Sequence, residues 1–135
     1  MLSQVATLEP KPLPITELFT PITIKVTPDP GTHTVTFDLE APNPNVSASG
    51  NVLTVSPGSY SLQFNLPTDI LQFDDPAISV STPFAPVSVS PDSSTSVTLP
   101  DTNNLTSADG SVSYQFSFNI SGSVYDPTIV NDPPQ

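Results

Sequence analysis

Proline placement constrains this chain more than any other feature. Eighteen prolines are spread along it, and over most of its length they recur too often to leave ten uninterrupted helical residues. The proline-free stretch Thr102 to Tyr114 is rich in Ser, Asn and Gly and carries no apolar stripe at helical spacing. What remains is a period of two. Val112, Tyr114, Phe116, Phe118 and Ile120 alternate with Ser113, Gln115, Ser117 and Asn119, the pattern of a strand with one dry and one wet face. Similar alternation runs through Tyr60, Leu62, Phe64 and Leu66, through Val35, Phe37 and Leu39, and through Ile22, Ile24 and Val26. Half-wet strands of this kind belong to antiparallel sheets. Weaker strands are expected at Val52 to Val55, Ile70 to Phe73, Ala77 to Ser81, Pro86 to Ser90 and Ser94 to Leu99. A short helical turn is expected near Leu66 to Leu71, capped by Thr68 or Asp69.

The turns repeat one device. Val26-Thr27-Pro28, Val55-Ser56-Pro57 and Val89-Ser90-Pro91 each read as a strand stopped by proline, which lacks the ladder donor. Pro30-Gly31 and Pro57-Gly58 suit the central pair of a type II turn. About seven to ten short strands with turn signals every 8–12 residues predict an all-β, immunoglobulin-like antiparallel β-sandwich, with a jelly roll as the alternative. Residues 1–20 read as an extended Pro-rich N-terminal arm, 21–126 as the sandwich domain, and 127–135 as a Pro-rich C-terminal tail.

Of 135 residues, 38 are Leu, Ile, Val or Phe, enough apolar mass for one folded domain. Thirteen carboxylates face two lysines, Lys11 and Lys25, for a net charge of −11. A nucleic-acid binder needs a cationic face, and so does a protein docking on anionic lipid; neither partner is expected. The absence of cysteine removes disulfides, thiolate nucleophiles and zinc-thiolate sites. No basic start followed by an apolar run marks a secretory signal. A cytoplasmic location is therefore expected if Met1 is the native start.

The Asp-Pro pairs at Asp29-Pro30, Asp75-Pro76, Asp126-Pro127 and Asp132-Pro133, with Glu9-Pro10, resemble the small bacterial DP-EP family. The nearest part is Asp126-Pro127-Thr128-Ile129-Val130-Asn131-Asp132-Pro133, where Asp132 stands in place of the family's second-motif glutamate. The resemblance implies a β-sandwich and no particular mechanism.

No catalytic set is visible. His33 is the sole imidazole and no Gly-x-Ser-x-Gly elbow occurs. A carboxylate pair remains compatible with composition, but few basic groups exist to orient a substrate, and no enzyme is expected. Calcium is the cofactor worth weighing, because Asp74, Asp75, Asp101 and Asp109 are all expected in loops that can converge at one pole. Against it, turn aspartates commonly serve their own backbone. Phe73 and Phe84 are candidate ligand-binding aromatics at loop tips, as in sugar-binding modules. The expected role is a non-catalytic acidic sandwich acting by protein–protein contact, self-association or assembly; the alternative is a calcium- or carbohydrate-binding module.

Overall fold

The computed structural model describes residues 19–81 and 86–134. Among the described residues there is no helix, and the chain forms an all-β sandwich of two sheets. The strands are β1 (Thr20–Asp29), β2 (Thr34–Leu39), β3 (Val46–Ser49), β4 (Val52–Val55), β5 (Gly58–Asn65), β6 (Phe73–Ser81), β7 (Pro86–Val89), β8 (Ser96–Asn103), β9 (Val112–Ile120), β10 (Ser123–Tyr125) and β11 (Thr128–Asn131). The smaller sheet runs β2-β1-β5-β8, and the larger β3-β4-β11-β9-β6-β7, with β10 also paired to β9.

The alternation predicts the faces correctly. Ile22, Ile24 and Val26 of β1, Tyr60, Leu62 and Phe64 of β5, and Phe116, Phe118 and Ile120 of β9 are buried, while Lys25, Ser113 and Gln115 are exposed. Phe118 forms the centre of the core. Its ring lies 5.0 Å from Phe116, 5.1 Å from Phe64, 5.8 Å from Phe73 and 6.1 Å from Phe37 between centroids.

Direction is where expectation and structure part. Two pairs are parallel, β1 with β5 and β4 with β11, so the sheets are mixed rather than antiparallel throughout. Period two encodes which face a residue takes, and it is the same for either direction.

Two of the expected proline stops hold, since β4 ends at Val55 and β7 at Val89, ahead of Pro57 and Pro91; elsewhere strands run through proline. β1 continues through Pro28 to Asp29, and β8 continues through Pro100 to Asn103. Each lies where, among the described residues, the strand has a neighbour on one side only. β5 pairs with β1 over Thr20 to Lys25, so at Pro28 the remaining neighbour is β2. Pro100 lies in β8, the edge of the smaller sheet. A missing N–H is tolerated where it faces no partner. Pro76 falls in the register shift of β6 between Phe73 and Ile78, another position that needs no ladder donor.

Three further expectations are corrected. The segment after Asp126 is not an appended tail: β11 lies inside the larger sheet, between β4 and β9. Leu66 to Leu71 forms bends and no helix, with the Ile70 N–H donating to Thr68 Oγ1 at 3.4 Å. At the β1–β2 connection, positive φ belongs to His33 (56°), whose N–H donates to Asp29 O at 2.8 Å, and not to Gly31. Nor does Gly58 sit as the left-handed residue of a type II turn. It starts β5 with φ of 141°, and a Cβ there would come within 2.9 Å of Tyr60 Oη. The Tyr60 hydroxyl folds back over it to donate to Pro57 O at 3.0 Å.

Candidate functional site

The site is built from the inward positions of β8. Odd residues of this strand point into the sandwich: Val97 and Leu99 are buried, and by the same parity so are Asn103 and, in large part, Asp101. The register sets them opposite Phe64, Leu62, Gly58 and Tyr60 of β5 respectively. Two polar side chains thus occupy a face that is otherwise hydrocarbon.

Asn103 clasps the two sheets together. Its Nδ2 donates to Val55 O at 2.8 Å and to Asp132 O at 2.7 Å, both belonging to the larger sheet or its end, while its Oδ1 accepts from the Leu105 N–H at 3.1 Å. Beside it, Asn131 of β11 donates from Nδ2 to Asp101 Oδ1 at 3.1 Å. Two acceptors are left over: among the described residues, the buried Asp101 Oδ2 and Asn131 Oδ1 receive no hydrogen bond. Desolvation raises the Asp101 pKa above the ordinary 3.8, with the Asn131 hydrogen bond opposing it. Burial, with the Asp101 carboxylate as second cause, raises the Tyr60 pKa as well.

Asp101 stands at a cleft of about 320 Å³. Leu99 and Pro100 of β8 form one wall with it; Val80 of β6, Val89 of β7, Tyr114 and Phe116 of β9 and Ile129 of β11 form the other. The volume is at the lower end of the ordinary range for ligand pockets. Sheet widths explain the cleft, since the four-stranded sheet ends at β8 while the larger one extends beneath it to β6 and β7. The opposite margin is better closed, because β2 is tied to the β3–β4 turn through Phe37 N–H to Gly50 O at 2.9 Å.

The raised Asp101 pKa has a testable consequence. The native state binds its proton more tightly than the unfolded chain, so this group contributes stability below pH 3.8 that is lost as pH rises through the higher folded value. Asp101→Asn keeps an acceptor for Asn131 and removes the charge. The variant should therefore gain on wild type as pH rises from about 3 to 7, reaching a plateau above the folded pKa. Urea midpoints measured across that range check this; a constant offset between the two proteins contradicts it.

Among the described residues, the others singled out from the sequence do not assemble with Asp101. Asp74 and Asp75 lie in β6 and not in a loop; Asp74 Oδ2 accepts the Gly122 N–H at 2.8 Å, and Asp75 Oδ1 accepts from Ser90 Oγ at 2.9 Å. Asp109 Oδ2 accepts the N–H and the hydroxyl of Thr106 at 2.6 and 3.1 Å, closing its own turn. Among the described residues, no three His, Asp or Glu side chains stand together as a metal site. Phe73 is not at an exposed tip: it is buried in the core against Phe118. Phe84 lies outside the described residues. His33 is exposed, its ring 5.6 Å from that of the buried Tyr125.

Asp101 was expected in a loop because the strand was expected to end at Leu99. Its true place was available as a parity signal, Val97-Leu99-Asp101-Asn103, once proline is allowed at an edge. Comparisons with protein-family models, with curated proteins and with solved structures each returned no match.

Proposed function

We propose that this protein is a non-catalytic binding module that acts through protein–protein contact, and that the contact is made along β8. The observation that carries this reading is that, among the described residues, no strand pairs with the outer side of β8, which borders an apolar cleft. Sheet edges present unpaired backbone groups that a partner's extended segment can complete. The dispersal of Asp74, Asp75 and Asp109 into separate hydrogen bonds favours a binding role over carboxylate-pair chemistry.

The direction of the backbone groups follows from parity. Ser96 spends its carbonyl and N–H on the Asp92–Ser93 turn, accepting from Asp92 N–H at 2.8 Å and donating to Ser93 O at 3.4 Å. It therefore faces away from β5. Residues alternate along an antiparallel ladder, so Thr98, Pro100 and Thr102 also turn their backbone groups to the open side. Pro100 blunts that edge by lacking a donor, leaving the N–H groups of Thr98 and Thr102 as the donors a partner strand would use.

Thr102→Pro removes one of these donors and leaves the β5 ladder untouched, since that ladder uses the odd positions. With a photo-crosslinkable residue at exposed Pro100, discrete crosslinked species should form in the source cells and be lost in the Thr102→Pro background. Adducts unchanged by Thr102→Pro, or matched by a crosslinker at exposed Ser47 on β3, would overturn the reading.

A further inference from the structure

We infer that the segment completing β8 carries a cationic side chain opposite Asp101 and an apolar side chain two residues away, opposite Leu99. The inference rests on the β8 reading above and names the chemistry of its partner.

Register carries the argument. The odd residues of β8 bond to β5, so across the open edge each of them would face a non-hydrogen-bonded position of an added strand. At such positions directly opposed side chains approach most closely and lie on the same face of the sheet. The residue opposite Leu99 would enter the cleft between Leu99, Val80 and Phe116, where an apolar side chain suits hydrocarbon walls. The residue opposite Asp101 would meet a carboxyl group whose Oδ2 has no donor among the described residues, beside an equally unpaired Asn131 Oδ1. Asn131 is 1% exposed and Asp101 Oδ2 is shielded as well, so solvent supplies neither missing donor. An ammonium or guanidinium group supplies donors and opposite charge together.

The charge of the whole chain points the same way. With a net charge of −11 and only Lys11 and Lys25 as cations, the surface attracts positively charged segments and disfavours acidic ones. The long-range field sets the sign, whereas Asp101 sets the position along β8.

The probe is a capped peptide that alternates valine and threonine, with lysine replacing its central valine. Two companions carry norleucine or glutamate there. Binding is read on wild type by exchange protection of the Thr98 and Thr102 amides, and affinities are taken by titration at neutral pH. The lysine peptide should protect both amides and bind about two- to fivefold more tightly than the norleucine peptide, with glutamate weakest. In Asp101→Asn the lysine advantage over norleucine should shrink to the small part that net charge alone supplies, while amide protection persists.

Equal affinity of lysine and norleucine peptides on wild type overturns the cationic inference and leaves strand addition standing. A lysine advantage that is undiminished in Asp101→Asn also overturns it, assigning the preference to net charge. If no peptide protects Thr98 and Thr102, strand addition itself fails. The amide readout on wild type does not depend on any variant folding.

Discussion

Replacing Phe118 by alanine should lower unfolding free energy by about 3–5 kcal/mol, the range for truncating a fully buried phenylalanine. Phe118 is 0% exposed and its ring meets those of Phe37, Phe64, Phe73 and Phe116. These four come from β2, β5, β6 and β9, so the cavity would open at the junction of both sheets and no single neighbour can close it. Domains of this size usually have only about 5–15 kcal/mol in total, so the variant should stand near the threshold of folding. Phe118→Leu retains more of the volume and should lose clearly less. Urea denaturation with an unchanged slope, and a midpoint order of wild type, leucine, alanine, is the expected result. A loss in alanine below about 1 kcal/mol would mean that the aromatic cluster is not the centre of the core.

Asn103→Ala should cost about 2–4 kcal/mol through a different mechanism. Asn103 is 2% exposed and joins β8 to Val55 O, Asp132 O and the Leu105 N–H. Val55 O keeps a second donor in the Asp132 N–H at 2.9 Å, but Asp132 O and Leu105 N–H lose the side-chain partners described here. Asn103→Asp separates donor loss from shape. It retains an oxygen for Leu105 but sets a carboxylate against two carbonyl oxygens, so it should be at least as damaging as alanine at neutral pH. Part of the loss should return in acid, where protonation restores a donor. As a control, alanine at exposed Asn45 on the surface should shift stability by less than about 0.5 kcal/mol. Denaturant midpoints for the three variants decide the matter, and equal small losses at Asn103 and Asn45 would remove the clasp from the account.

Both substitutions show how unevenly the molecule could be read from its residues. Phe118 was legible, because Val112 to Ile120 alternates without interruption and burial follows from that alternation. Asn103 was not, because it follows a proline in a stretch rich in Thr and Asn, which reads as a turn. Phe73 misled for a similar reason: the acids and proline after it suggest a loop tip, yet it starts β6 and enters the core. In each miss a local turn signal was overridden by pairing with a distant strand.

The division has one physical origin. Proline spacing, period two and composition are properties of the sequence alone, and by themselves they determined an all-β chain, the inward face of its main strands and a net charge of −11. Neighbour, direction and edge depend on which distant strand supplies the backbone hydrogen bonds, and no local pattern encodes them. Only the tertiary structure made β1–β5 and β4–β11 parallel, inserted β11 into the larger sheet and left β8 at an edge. That last choice let the strand run on through Pro100 and carried Asp101 from an expected loop to the inner face of the sandwich.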